Sequence, residues 1–160
     1  MLHPPVSAIE VIQAILAPAL GVSAVGLLLL ALYNRYSSIM NRIRLLNEER
    51  RRYMKLLAED TELSYTDNTR YMSINNQMKE LLLRSRLVRN AILSMQVAIG
   101  LFVLTSVAIG ANLVVESGVM QLLPMLFFIV GMLTVFAGVV FAGFEIQRSY
   151  KIILLETSAD

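Results

Sequence analysis

Histidine, the side chain most used for proton transfer and metal ligation near neutral pH, occurs once in this sequence, at His3. Cysteine does not occur at all, so disulfides, thiolate metal sites and thiol nucleophiles are excluded together. No HExxH, GxSxG, Walker or GxGxxG pattern is present, which removes sequence support for metal hydrolysis, Ser-His chemistry and phosphate loops. Glu10 follows His3 by seven residues, and a cation shared between them would rest on two ligands in a fraying stretch. The expectation is a protein with no catalytic residue, no metal and no cofactor, and not an enzyme.

What remains to do chemistry is polar side chains set into apolar runs. Glu10, Gln13, Ala17, Gly21, Ala24 and Ala31 fall along one helical face with Pro18 beside it, among Leu and Val. A face that is polar at one end and small below it is not built for lipid. One reading is close helix packing, since small residues let backbones approach where lipid supplies no hydrophobic drive. The other is that identical stripes from several subunits face one another around a pore, with Glu10 and Gln13 as polar rings at its outer mouth. A ring of Glu10 carboxylates would concentrate cations at the entrance.

The elements that carry these residues follow from composition. Of 160 residues 56% are hydrophobic and 16% charged, and the mean hydropathy of +0.63 exceeds what a soluble domain wrapped in polar surface shows. Three apolar runs, 8–32, 91–114 and 122–144, each reach the ~20 residues that cover a hydrocarbon core. They read as helices, because a lone strand cannot satisfy its backbone in lipid. The first run has no basic flank before it, and Asn34-Arg35 stands where a small-residue cleavage site would be needed, so it reads as a span and not as a signal peptide.

Between Asn34 and Asn90 twelve Arg and Lys stand against seven Asp and Glu, twelve of the fourteen basic residues in the chain. Such a bias marks a cytoplasmic connection and points to membrane topology ahead of nucleic acid. The N-terminus is then outside and the tail, 145–160, inside. Arg35, Arg42, Arg86 and Arg89 are the expected headgroup contacts. Arg50 lies fifteen residues past Arg35, roughly 22 Å along a helix and beyond a Debye length of about 8 Å, so Arg50, Arg51 and Arg52 with Glu48 and Glu49 read as a solvated face with pairs to a partner helix.

The connection is itself periodic. Ile39, Ile43, Leu46, Arg50, Tyr53 and Leu57 recur at alternating four- and three-residue steps, and Ile74, Met78, Leu81, Ser85, Val88 and Ile92 repeat the pattern, which is the spacing of packed helices. An antiparallel helical hairpin over about 34–90 follows, its turn within 59–68 and its second helix capped by Asp67 or Asn68. No Pro or Gly interrupts 27–57, so the first span continues as one helix to Ala58, on the order of 80 Å in all, with roughly 35 to 40 Å of it in the cytoplasm. Spans two and three form a tight hairpin through about 115–121, with Gly118 in the turn and Pro124 in the first turn of a helix. Ile146, Tyr150, Ile153 and Leu154 extend an apolar stripe expected to pack on the cytoplasmic hairpin.

Small and polar residues recur on the other spans. Gln96, Gly100, Val103, Val107 and Gly110 share a face of the second, and Gly131, Thr134, Gly138, Ala142 and Glu145 share one of the third. Both are expected to be contacts within the bundle. Asn112 needs a partner such as Thr105 or a backbone carbonyl. The nine Met are ordinary packing residues.

The order Ile12-Gln13, Leu16-Ala17-Pro18, Asn34-Arg35 and Arg42-Ile43-Arg44, followed by two more spans, resembles a family of small bacterial three-span membrane proteins filed as a domain of unknown function. The resemblance implies the fold and an inner-membrane location, and no activity, cofactor or site. The expectation is an all-α integral membrane protein, a single domain over 1–160. Its partners are the bilayer, other copies of itself and ions, as a homo-oligomeric cation-favouring channel lined by Glu10, Gln13, Ala17, Gly21 and Ala24. The alternative is a non-conducting scaffold or accessory subunit that uses the same small faces to hold a partner.

Overall fold

The computed structural model describes residues 8–58, 65–112 and 118–157, and these form three helices: α1 (Ala8–Ala58), α2 (Tyr65–Asn112) and α3 (Gly118–Thr157). Each contains a stretch long and apolar enough to cross a membrane. α1 runs unbroken through Pro18 to Ala58, as the absence of internal breakers after Gly26 requires. α2 is likewise one helix from the charged segment into the second apolar run.

The ends differ from expectation at three places. α2 begins at Tyr65, which puts Asp67 in its first turn, where a carboxylate complements the helix dipole, and not at the cap. Gly118 is the first residue of α3. Pro124 therefore lies beyond the first turn, where its ring removes a hydrogen bond to the carbonyl of residue 120. It is buried.

The described residues group into two units. The first joins the N-terminal part of α1, up to Leu32, to Ala91–Val140. Its centre is Phe102, 1% exposed. A Cβ placed on Gly21 of α1 would come within 3.0 Å of the Phe102 ring, and one on Gly131 of α3 within 2.8 Å. The two glycines are thus the slots that admit the ring, and the Phe128 ring closes on it at a centroid distance of 5.6 Å. Gly138 brings α3 close to α2, since a Cβ there would stand 3.0 Å from Met95 Cε and 3.3 Å from the Ala91 carbonyl oxygen. Most large apolar side chains of this unit point outward, among them Leu20, Leu27, Leu122, Leu133 and Phe136.

The second unit joins Tyr33–Asn90 to the chain from Phe141 onward. Leu46, Ile74 and Met78 form its buried cluster, flanked by Ile43, Tyr53 and Leu81, as the four-three spacing of both segments predicts. Arg70 meets Glu49 and Tyr71 meets Met54, Leu46 packs with Ile74 and Met78, and Arg42 lies across from Leu81 and Arg84, so falling numbers on α1 meet rising numbers on α2 and the two helices pack antiparallel here. Arg51 and Arg52 are exposed and Arg50 half-buried. Ile146 is 51% exposed and does not continue an inward stripe. The neighbouring residue, Glu145, occupies the inward position. The side chains of Tyr150, Ile153 and Leu154, residues 59–64 and His3 lie outside the described residues.

Burying a side chain such as Leu46 is worth about 1.5–3 kcal/mol. Leu46→Asp adds the cost of a desolvated carboxylate and is expected to abolish cooperative unfolding of the detergent-solubilised protein, or to lower its midpoint steeply. Arg51→Ala, on the exposed face, is expected to leave the midpoint unchanged. Equal effects in a thermal unfolding assay would mean that the buried face is misassigned.

Candidate functional site

Four residues of α3 at seven-residue spacing are buried: Pro124, Gly131, Gly138 and Glu145. Three are residues that let a neighbouring helix approach, and the fourth is a carboxylate with no exposed surface. An isolated ionised carboxylate in such a place would be costly to desolvate. It is not isolated. Arg84 of α2 places Nε and Nη2 each 3.0 Å from Glu145 Oε1, and Arg35 of α1 places Nε 2.9 Å from Oε2. The Arg84 contact is an aligned, charge-assisted hydrogen bond. Arg35 faces Oε2 without hydrogen-bond alignment, so its hold is chiefly coulombic.

The cluster ties all three helices together in one unit and carries a surplus of one positive charge. Arg84, 22% exposed, and Arg35, 37% exposed, keep an edge toward the outside while Glu145 keeps none. The carboxylate has no exposed surface. The arrangement can fix the register of α3 against α1 and α2, and it can hold an arginine ready for an incoming anion.

A second ion pair lies farther along the α1–α2 interface. Arg70 donates from Nε to Glu49 Oε1 at 2.9 Å and from Nη2 to Oε2 at 3.3 Å, and this guanidinium holds the Glu49 carboxyl below its ordinary value. Both groups are solvated, so the pair contributes little to stability. It fulfils the expected pairing of the solvated face with the partner helix.

Of the residues proposed to line a pore, Glu10, Gln13, Ala17 and Ala24 are exposed on α1, whereas Gly21 is turned partly inward against Phe102. Arg42, Arg86 and Arg89 are exposed, and Arg35 is half-buried on Glu145. The α3 face of Gly131, Gly138 and Glu145 is buried as expected, but Gln96, Gly100, Val103 and Val107 of α2 are exposed. The reason is that the inward face of α2 is already taken by Met95, Ala98, Phe102 and Thr105. Thr105 donates to the Leu101 carbonyl at 2.8 Å and not to Asn112, whose buried Oδ1 has no hydrogen-bond partner. Sequence reading passed over the Arg84–Glu145 pair. The signal was there: a carboxylate in line with Gly131 and Gly138 on a seven-residue repeat.

Among the described residues no three His, Cys, Asp or Glu side chains converge as a metal site. Three long helices with apolar stretches, joined by a buried ion cluster, define an all-α protein of the multi-pass membrane class. Residues 15–155 match the family described as "Protein of unknown function (DUF2721)", and the chain belongs to that family. No curated protein and no solved structure matches it.

Proposed function

We propose that this protein works as a homo-oligomer in a bacterial-type inner membrane, with α1 nearest the symmetry axis and a cation-favouring path along it. The observation that carries the reading is the outward display of Glu10, Gln13, Ala17 and Ala24 on an otherwise apolar helix whose inward side is already committed to Phe102 through Gly21. Against lipid this stripe gains nothing. Against another copy it supplies small residues for close approach and a ring of carboxylates at the mouth. The basic segment 34–90 is cytoplasmic in this reading, with the N-terminus outside and the C-terminus inside. A non-conducting scaffold that uses the exposed α2 face of Gln96, Gly100, Val103 and Val107 to hold a different membrane protein is the second reading.

The absence of cysteine lets one set of single-Cys variants test the assembly and its orientation. Ala17→Cys and Ala24→Cys are expected to cross-link between subunits, Ser117→Cys to label with an impermeant reagent from outside intact cells, and Ser64→Cys to stay protected. In liposomes Glu10→Gln is expected to reduce cation selectivity while Glu116→Gln leaves it intact. A monomer without cross-links leaves the scaffold reading ahead, and outside labelling of Ser64→Cys overturns the orientation.

A further inference from the structure

A cavity of about 230 Å³ opens between α1 and α2 in the second unit, lined by Arg42, Gln77, Glu80, Leu81 and Arg84. The four α2 residues stand at i, i+3, i+4 and i+7, one face of a helix, and α1 supplies Arg42 across from them. Two guanidinium groups from two helices therefore border one hole. We propose that this cavity binds the phosphate group of a phospholipid headgroup, with Arg42 and Arg84 as the two clamps.

Its lining and its volume carry the assignment. Arg84 is already held in place, because Nε and Nη2 rest on the buried Glu145 carboxylate, so little side-chain entropy is lost when the rest of its fork meets an anion. Arginine in a fixed fork is the side chain suited to phosphate. The lining itself sets two guanidinium groups, Arg42 and Arg84, against one carboxylate, Glu80, a balance that favours an anion over a cation. Gln77 directs Nε2 to Ser73 Oγ at 3.4 Å and retains a second amide hydrogen for an acceptor. The volume has room for several waters, at about 30 Å³ each, and so for a phosphate with a short alcohol substituent.

A lipid is favoured over free phosphate by position and by Leu81. Arg42 and Arg84 lie ten and seven residues from the apolar stretches ending at Leu32 and starting at Ala91, roughly 10–15 Å along a helix. Arg84 is fixed on Glu145, but the exposed Arg42 has a long stem that spans much of that distance toward a headgroup layer. This source rests on the reading that the three apolar stretches cross a bilayer, whereas the phosphate chemistry of the cavity does not.

The test is lipid retention by the full-length protein in detergent, read by native mass spectrometry with short-chain phosphatidylglycerol and phosphatidylethanolamine as probes and inorganic phosphate as competitor. Arg42→Gln is expected to weaken lipid binding roughly tenfold, with Arg51→Gln unchanged and both variants unfolding at the wild-type temperature. Arg84→Lys, which keeps the charge on Glu145 but loses the fork, is expected to weaken it as well. Equal loss in Arg42→Gln and Arg51→Gln, or no probe retained by the wild type, overturns the site. Displacement of lipid by millimolar phosphate overturns the lipid source in favour of a soluble phosphate. Membrane extraction of the same variants, and labelling of Ser117→Cys and Ser64→Cys introduced into each of them, separate a failure of this site from a failure of membrane insertion.

Discussion

Replacing Glu145 by alanine is expected to destabilise the detergent-solubilised protein by about 3–5 kcal/mol, because it leaves two guanidinium charges facing each other without the carboxylate that compensates them. The two arginines are not equivalent. Arg84 is 22% exposed and puts two nitrogens on Oε1, so Arg84→Ala should approach the effect of Glu145→Ala. Arg35 is 37% exposed and lacks an aligned hydrogen bond, so water can take its place and its loss should cost much less. Glu145→Gln retains the shape and an acceptor oxygen and should fall between the wild type and alanine. Replacing all three groups by apolar residues, Arg35→Met, Arg84→Met and Glu145→Leu together, should recover most of the loss, as such a swap removes both the desolvation cost and the attraction. Unfolding midpoints of the five variants decide the matter. A Glu145→Ala protein as stable as the wild type would show that the cluster contributes nothing to holding α3.

Phe102→Ala is expected to cost about 3–5 kcal/mol, the range for removing a fully buried aromatic ring. The same geometry makes a sharper prediction about its neighbours. Gly131→Ala would place a Cβ 2.8 Å from the ring and should cost about 1–3 kcal/mol by overpacking. On a Phe102→Ala background the same substitution enters empty space and should become neutral or favourable, a coupling that a double-mutant cycle measures directly. Gly26→Ala and Gly100→Ala meet nothing within 4 Å. They should be neutral or slightly stabilising, since alanine is the better helix former. Additive effects of Phe102→Ala and Gly131→Ala would mean that the ring does not occupy that slot.

The hairpin segment shows why some contacts can be read in advance. Leu46, Ile74 and Met78 are large and apolar among charged residues, so their spacing alone separates the inward face from the solvated one. The apolar stretches offer no such contrast. Leu, Val and Gly there satisfy lipid and a neighbouring helix alike, and composition does not distinguish Gly131, which receives Phe102, from Gly100, which receives nothing. For the same reason the face of Gln96, Gly100, Val103 and Val107 was expected inside the bundle and lies outside it.

The carboxylate partner of Arg35 was hidden for a different reason. Arg35 follows an apolar run, a place where arginine ordinarily meets headgroups, and only the approach of α3 supplies the carboxylate that engages it. The sequence by itself determined the three helices, their apolar stretches and the seam of the charged segment, because helix formation and amphipathic contrast are local properties of the chain. Tertiary structure alone decided which glycines are slots, which arginines are held and that Glu145 is buried. Those outcomes depend on the distance between helices remote in sequence, and a desolvated ion pair exists only once that distance has closed.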